Sequence, residues 1–488
     1  MSGSAAIGLK GENAWHDAAR RLSAGEASLV SLWGDEGRMR MALREANGGL
    51  AIVDVACEAG AFPSVAALHL PASRLERSAC DLFGFTAIGA HDDRRWLDHG
   101  RWPLRHPLGR AVAHDGTPDP YPFLKAEGSG LHQIPVGPVH AGIIEPGHFR
   151  FHAAGEAVVR LEERLGYVHK GVDSLMRGAS LERAAVLAAR VSGDSTVAYG
   201  VAFARAVEAA LGIEPPARAH SLRGVMAELE RIANHLGDVG AICNDAAFAL
   251  MHAHCGILRE LTLRAAEAAF GHRLMMDAAV PGGVAVDLAP EGGKAILGLV
   301  REIRRAFPKL VQLYDNTASL QDRTVGTGVL KAELARLYGV GGVVGRASGR
   351  VFDARRDHPY PPYNSLAFKV ATRRTGDVNA RVWVRIDEIG ESLALIEKML
   401  ARLPGGPVRA ELTPPIGPSE GLALVEAFRG DVFAHVRLAS DGTVARCHLR
   451  DASWLQWPLL EAAIEGNIVA DFPLCNKSFN CSYSGCDL

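Results

Sequence analysis

Cys475, Cys481 and Cys486 bring three thiols together near the end of the chain, and thiolates are the side chains best suited to hold a soft metal. Their spacings, with five and four intervening residues, match neither a zinc knuckle nor an iron–sulfur loop. They are expected to pack as small buried hydrophobes, with a partial metal or redox site as the alternative. A second group, CNDAAFALMHAHC at 243–255, offers Cys243, His252, His254 and Cys255. His252 and Cys255 share a helix face at i, i+3 while His254 points elsewhere, so packing is again the expectation. The glycine-rich YGVGGVVGRASG at 338–349 lacks the G-x-G-x-x-G spacing, and no strand–helix–strand pattern surrounds it, which argues against a dinucleotide site. Neither a phosphate-binding P-loop nor a basic aromatic patch for nucleic acid is present.

These side chains belong to a chain of 488 residues, long enough for two or three domains. Fifty-three Lys and Arg against 55 Asp and Glu leave a formal charge of −2, which excludes a global field steering the protein onto nucleic acid or an anionic membrane. Apolar runs such as KAILGLV (294–300) are too short to span a bilayer. The N-terminal MSGSAAIGLKGENAWHD lacks the pattern of a secretory signal, so the eight cysteines are expected to be reduced. Residues 1–110 read as a small α/β unit whose alternating SLVSLW (28–33) and GGLAIVDVAC (48–57) suggest half-buried strands. The proline- and glycine-rich segment 111–136 is the expected linker. Beyond it, residues 137–488 read as mostly helical with small β elements, so the fold class is α+β. Leu222, Val225, Leu229, Ile232 and Leu236 recur at helical steps after Pro215 and Pro216. A second helix is expected over 254–274. Alternation in NARVWVRIDEIG (379–390) suggests a strand, and 431–450 suggests a hairpin turning at Asp441-Gly442.

Longer motifs carry a family resemblance. In the first unit, LERSACDLFGFTAIGAHDDRRWL (75–97) and WPLRHPLGR (102–110) resemble the 30 kDa subunit of respiratory complex I. In the second, VGPVHAGIIEPGHFRF (136–151), RLGYVHKGVD (164–173), AELERIANHLGDVGA (227–241), DRTVGTG (322–328) and RASGRVFDARRDHPY (346–360) resemble the complex I 49 kDa subunit. They are closer still to the large subunit of group 4 [NiFe] hydrogenases of the formate hydrogenlyase type. The resemblance implies a catalytic subunit of an electron-transfer complex. Such a subunit docks an iron–sulfur small subunit of the complex I 20 kDa type and sits peripherally, on the cytoplasmic face of the inner membrane, against an ion-translocating arm. In that family NADH meets other subunits.

The family's [NiFe] centre takes four cysteines, in an early and a late Cys-x-x-Cys pair. The early positions here are Ser192 and Ser195, in RVSGDSTVAYG. The late ones, in register from DFPLC, are Ser482 and Gly485. A hydroxyl is no soft anionic ligand, so no metal and no cofactor is expected on this chain. Relatives of the hydrogenase type carry a further tail that is removed on metal insertion, whereas Leu488 directly follows the late motif here. In complex I the same cavity takes a quinone head group, using a histidine near the start of the domain, an aspartate after the long helix and a tyrosine in the early segment. The matching positions are His140 or His148, Asp245 and Gly193, so the tyrosine is missing. Asp353 and Arg355 match charged positions near the hydrogenase cavity, with a structural salt bridge as the alternative.

The expected function is electron transfer from a partner's iron–sulfur cluster to a quinone-like or unknown acceptor, with His140 or His148 as proton donor, Asp245 as its orienter and the 190–196 loop as cavity wall. The alternatives are a non-catalytic, structural subunit that joins a redox module to the membrane arm, and a [NiFe] hydrogenase with an unusual ligand set.

Overall fold

The computed structural model describes residues 7–118, 120–140, 144–413 and 415–488. β1 (Ile7–Lys10), α1 (Glu12–Ser23), β2 (Ala27–Asp35), β3 (Arg38–Glu45) and β4 (Leu50–Ala56) form a sheet in the order β1-β4-β3-β2, with β1 parallel to β4. The short β5 (Ala61–Pro63) pairs in parallel with β6 (Thr86–Ile88), and α2 (Ser73–Phe83) between them packs on β2. A minimal pair, β7 (Leu104–Arg105) and β8 (Val112–Ala113), follows.

β9 (Leu131–Val136), β10 (His148–Ala154) and β11 (Ala157–Arg164) make an antiparallel sheet in the order β11-β10-β9, so the end of segment 111–136 is a paired strand. Helices α3 (Val172–Met176), α4 (Leu181–Ala188), α5 (Thr196–Leu211), α6 (Ala217–Asp245) and α7 (Ala249–Phe270) come next. The ribbon β12 (Ala279–Val280) and β13 (Gly283–Val284) leads into α8 (Gly292–Asn316). Four short helices, α9 (Ala318–Thr324), α10 (Ala332–Leu337), α11 (Gly342–Ala347) and α12 (Ala354–Asp357), precede α13 (Val378–Ala401). β14 (Ser419–Ala427), β15 (Gly430–Leu438) and β16 (Val444–Arg450) then form an antiparallel sheet, followed by α14 (Ser453–Ile464) and α15 (Phe472–Phe479). The fold is α+β, as expected. No helix among the described residues is long and apolar enough to cross a membrane.

Helix α6 starts directly after Pro216 and runs for 29 residues against α7, α13 and α15. Its predicted stripe, Leu222, Val225, Leu229, Ile232 and Leu236, is fully buried. Glu228, Arg231, His235 and Asp238 are buried as well, because α6 has neighbours on several sides. These polar side chains are therefore paired inside the protein, as burial requires.

Two local expectations are corrected. Residues 379–390 are helical, within α13, and not a strand. The buried set on α13 includes Arg381, Val382, Arg385, Glu388, Ile389 and Ser392, a helical spacing in which charged residues face inward. An alternation reading takes every charge as solvent-facing, and so misses it. β2 and β4 are buried on both faces and not on one. The second face of this sheet meets the β14–β16 sheet: Ser31 Oγ on β2 lies 2.8 Å from His448 Nε2, and Arg40 Nη1 on β3 donates to Glu420 Oε2 at 2.8 Å. Trp33 stacks on His448 with ring centroids 4.9 Å apart, and Arg450 Nε donates to Val30 O at 2.7 Å. The hairpin at Asp441-Gly442 forms as read, with Gly442 at φ +83°.

Candidate functional site

Ser192, Ser195, Ser482 and Gly485, the positions expected to match the family's cysteines, converge although the early and late segments are 290 residues apart. Ser192 precedes, and Ser195 ends, a single 3-10 turn (Gly193–Ser195) that leads into α5, and Ser482 and Gly485 follow α15. Ser482 Oγ donates to Ser192 Oγ at 3.4 Å, and Gly485 N donates to Ser482 Oγ at 2.9 Å. The late segment is pinned by Ser453 Oγ, which accepts from Ser482 N at 2.8 Å, and by Trp457 Nε1, which donates to Ser482 O at 3.1 Å. A Cβ on Gly485 would lie 2.8 Å from the Asp451 carboxyl carbon, so no side chain at 485 fits this packing.

An ion pair lies beside the serines. Asp194 Oδ1 accepts from Ser192 Oγ at 2.7 Å, Ser195 Oγ at 3.2 Å and Arg429 Nη1 at 2.8 Å, while Oδ2 accepts from Arg429 Nη2 at 2.6 Å. Arg429 stands on the two-residue turn between β14 and β15, where Ala427 pairs with Gly430. Its Nε donates to Asn480 O, tying the turn to the late segment. Behind the turn Gly342, at φ +66°, leaves room that a Cβ would take only at 1.8 Å from Arg429 O. Burial alone would raise the Asp194 carboxyl, but the guanidinium and the two hydroxyls outweigh it and hold it at about 2. Tyr199, on the first turn of α5, reaches the late segment indirectly by donating to Asp451 Oδ2 at 2.8 Å.

Three hydroxyl-bearing positions and a glycine beside a guanidinium do not fit a [NiFe] centre. The donors are hard and neutral, and the adjacent acid, Asp194, is already paired with Arg429. Among the described residues, no group of three or more His, Cys, Asp or Glu is placed to hold a metal ion. Cys475, Cys481 and Cys486 are buried free thiols, and burial pushes Cys475 up to about 11 and the other two well above their ordinary value. Cys243 and Cys255 are buried as well, while His252 and His254 are exposed.

The predicted proton-handling residues are not brought together. His148 is buried at the start of β10, with Nδ1 3.3 Å from Gly137 O and its ring against Phe123. His140 stacks at 6.0 Å on Phe149, which packs edge-on to Tyr483, and neither of its ring nitrogens has a partner among the described residues. The histidine loop also meets the late segment where Glu145 Oε2 accepts from Ser484 N at 3.1 Å. Asp245 instead stands at the exposed end of α6, near Lys477 and His252, and no hydrogen bond or ion pair among the described residues joins it to either histidine.

Asp353 and Arg355 belong to a separate buried network. Arg355 donates to Asp353 Oδ2 at 2.6 Å and to Glu228 Oε1 at 2.9 Å. Arg346 donates to Glu388 Oε1 and Glu426 Oε1, both at 2.7 Å, and His235 Nε2 lies 2.8 Å from Glu388 Oε2. Sequence reasoning missed Asp194, Arg429 and Glu230. The signal available was an acid lodged between two serines at ligand spacing, a charge that no metal site would place there.

Glu230 accepts from Val197 N at 2.7 Å and Ala198 N at 3.2 Å at the start of α5, and burial nonetheless pushes its carboxyl up to about 8. The ordinary value of 4.5 applies to the unfolded chain, which therefore loses this proton at lower pH than the folded protein. Stability from this residue thus falls as pH rises from 4.5 towards about 8. Glu230→Gln is expected to remove that slope, so the variant's melting temperature gains on the wild type across this window. An unchanged difference between the two would show that Glu230 is ionised throughout.

Residues 245–420 match the family described as the respiratory-chain NADH dehydrogenase 49 Kd subunit, and residues 14–118 match the 30 Kd subunit family. The chain is 34% identical to Hydrogenase-4 component G of Escherichia coli (strain K12), over 87% of this chain and 76% of that protein. It is 32% identical to Formate hydrogenlyase subunit 5 of the same organism, over 89% and 78%. An NADH-quinone oxidoreductase component of Phocaeicola vulgatus is 28% identical over 78% of each chain. A chain in the solved structure of the membrane-bound sulfane sulfur reductase, an archaeal respiratory membrane complex, shares the fold with a TM-score of 0.69 at 24% identity, covering 74% of this chain and 99% of that one.

Proposed function

The chain belongs to the family of fused 30 Kd and 49 Kd respiratory-chain subunits that includes the hydrogenase components above, and on that premise we propose that it transfers electrons without a [NiFe] centre. Electrons arrive from an iron–sulfur cluster in a partner small subunit of the complex I 20 kDa type and leave to a quinone-like acceptor. The chain acts at the cytoplasmic face of the inner membrane, held by protein partners on an ion-translocating arm.

The observation that supports this reading is the convergence of Ser192, Ser195, Ser482 and Gly485 on an Asp194–Arg429 pair. In this reading the side chains at these positions offer hydrogen bonds where the resemblance implies thiolates. An acceptor that takes up electrons also takes up protons, and His148 or His140, bordering the late segment, supplies them. Asp245 stands apart, so its orienting role is the weaker assignment. Asp353 and Arg355 brace α6 from behind.

The test is the assembled complex, analysed for nickel and for acceptor reduction with wild type, His148→Ala and Asp245→Ala. The expected result is no stoichiometric nickel, and a loss of about 100-fold in reduction for His148→Ala. Stoichiometric nickel overturns the ligand argument. Undiminished reduction in both variants with assembly intact favours the second reading, a structural subunit without chemistry that links redox module and membrane arm, to which the rigid buried network around Glu228 also lends itself.

A further inference from the structure

Arg74, on α2 of the first unit, ends between two acids of the second. It donates to Glu163 Oε1 on β11 and pairs through Nη2 with Glu461 Oε2 on α14 at 2.8 Å. Its guanidinium lies 4.6 Å from the centre of the Trp96 ring, and Glu461 Oε1 accepts from Glu163 N at 2.7 Å. The seam is dry: the side chains are 0% exposed at Glu163, 13% at Arg74 and 19% at Glu461. Glu163 Oε2 is buried with no hydrogen-bond partner among the described residues.

Two carboxylates thus face one guanidinium, and no neighbour corrects the count. Among the described residues no second cation pairs with either acid. Beside Glu163 on β11, Glu162 is taken by Arg94 at 2.5 Å, and Arg164 donates to Arg95 O at 2.7 Å. On α2, Arg77 is paired with Asp92 at 3.0 Å. The late segment brings Cys481, Tyr483 and Cys486, and the end of α10 brings Tyr338, all kept neutral by burial. Two like acids on one cation do not both ionise readily in a dry site. Burial raises both carboxyls, and Arg74 offsets this only in part. The elements that carry the acids also seat the late segment. Just past β11, Gly166 N and Val168 N donate to Asp487 at 2.8 and 3.0 Å, and Trp457 of α14 donates to Ser482 O.

We infer that Glu163 and Glu461 share one proton in the folded chain at neutral pH, and that its release loosens the first unit and the late segment together. The proton belongs to the pair and not to either residue alone. Its loss sets two negative charges side by side, which pushes β11 and α14 apart or draws water between them. In the unfolded chain both acids ionise around their ordinary value of 4.5, so above it the folded chain holds one proton more. Stability from the seam is therefore full below 4.5 and is lost as pH rises through the raised value. None of this depends on electron transfer.

The experiment follows urea unfolding of the full chain against pH for wild type, Glu163→Gln and Glu461→Gln. Either substitution leaves one acid for Arg74, so no proton remains to be shared. In both variants the fall of the folding equilibrium constant with pH is expected to be shallower than in wild type by about tenfold per pH unit, the effect of one proton. Hydrogen exchange, corrected for the intrinsic effect of pH on the chemistry, is expected to show α2, β11 and residues 481–488 losing protection together in wild type and not in the variants. Each variant keeps Arg74 paired, and the wild-type exchange profile tests the joint by itself. Equal slopes in the three chains, a slope removed by Glu163→Gln alone, or a late segment whose protection does not follow pH overturns the inference.

Discussion

Glu228→Ala is expected to destabilise the chain by about 3–5 kcal/mol in denaturant unfolding, the range for removing one partner of a buried ion pair. Glu228 has no exposed surface and is approached from four directions. Arg355 Nη1 reaches it at 2.9 Å, Tyr363 Oη at 2.6 Å and Ser392 Oγ at 2.6 Å, with Arg231 Nε at 3.3 Å. Burial raises its carboxyl, but Arg355 and Arg231 more than reverse that and hold it below its ordinary value. Its stabilising contribution is therefore complete above the ordinary carboxylate range and is lost as pH falls through the depressed value. Alanine leaves the Tyr363 and Ser392 hydroxyls without their acceptor and removes a carboxylate from beside Arg355 and Arg231 at the centre of the protein. Glu228→Gln keeps an acceptor and is expected to cost less. A change under about 1 kcal/mol for alanine would mean that water enters and replaces the carboxylate.

Asp194→Ala is the second large effect, about 3 kcal/mol, at the low end of the same range because the Asp194 side chain is 36% exposed. The cost lies with Arg429, only 6% exposed, which would lose both charged hydrogen bonds. Arg429→Met on the Asp194→Ala background is expected to recover most of the loss, since a matched apolar side chain leaves no buried charge. Additive costs in this double-mutant cycle would show that the pair is not coupled. Because the same two residues hold the serine loop against the late segment, acceptor reduction in the assembled complex is expected to fall with Asp194→Ala whether or not stability is restored.

The apolar periodicity of α6 was legible because its stripe, Leu222 to Leu236, follows one face. α13 was not, because its inward-facing Arg381, Arg385 and Glu388 break any pattern that equates charge with solvent. The hairpin at Gly442 was legible from local turn chemistry, whereas the burial of both faces of β2 depends on a sheet about 400 residues away in sequence, which no local window sees. At the site, the serines at 192, 195 and 482 and the glycine at 485 could be read from the sequence alone. That an acid and an arginine had come together beside them could not, since Asp194 and Arg429 meet only through the tertiary fold.

The contact between the first sheet and β14–β16 has a consequence for the fusion itself. Ser31, Trp33 and Arg40 find their partners at His448 and Glu420 within one molecule. As separate chains the two units would have to meet by diffusion, and a contact this rich in polar pairs gains little net affinity from each of them. Joined in one chain, they face each other at a high effective concentration, in the millimolar range for short flexible links. The interface can then be selected for geometry and orientation, and it need not be strong enough to recruit a free partner.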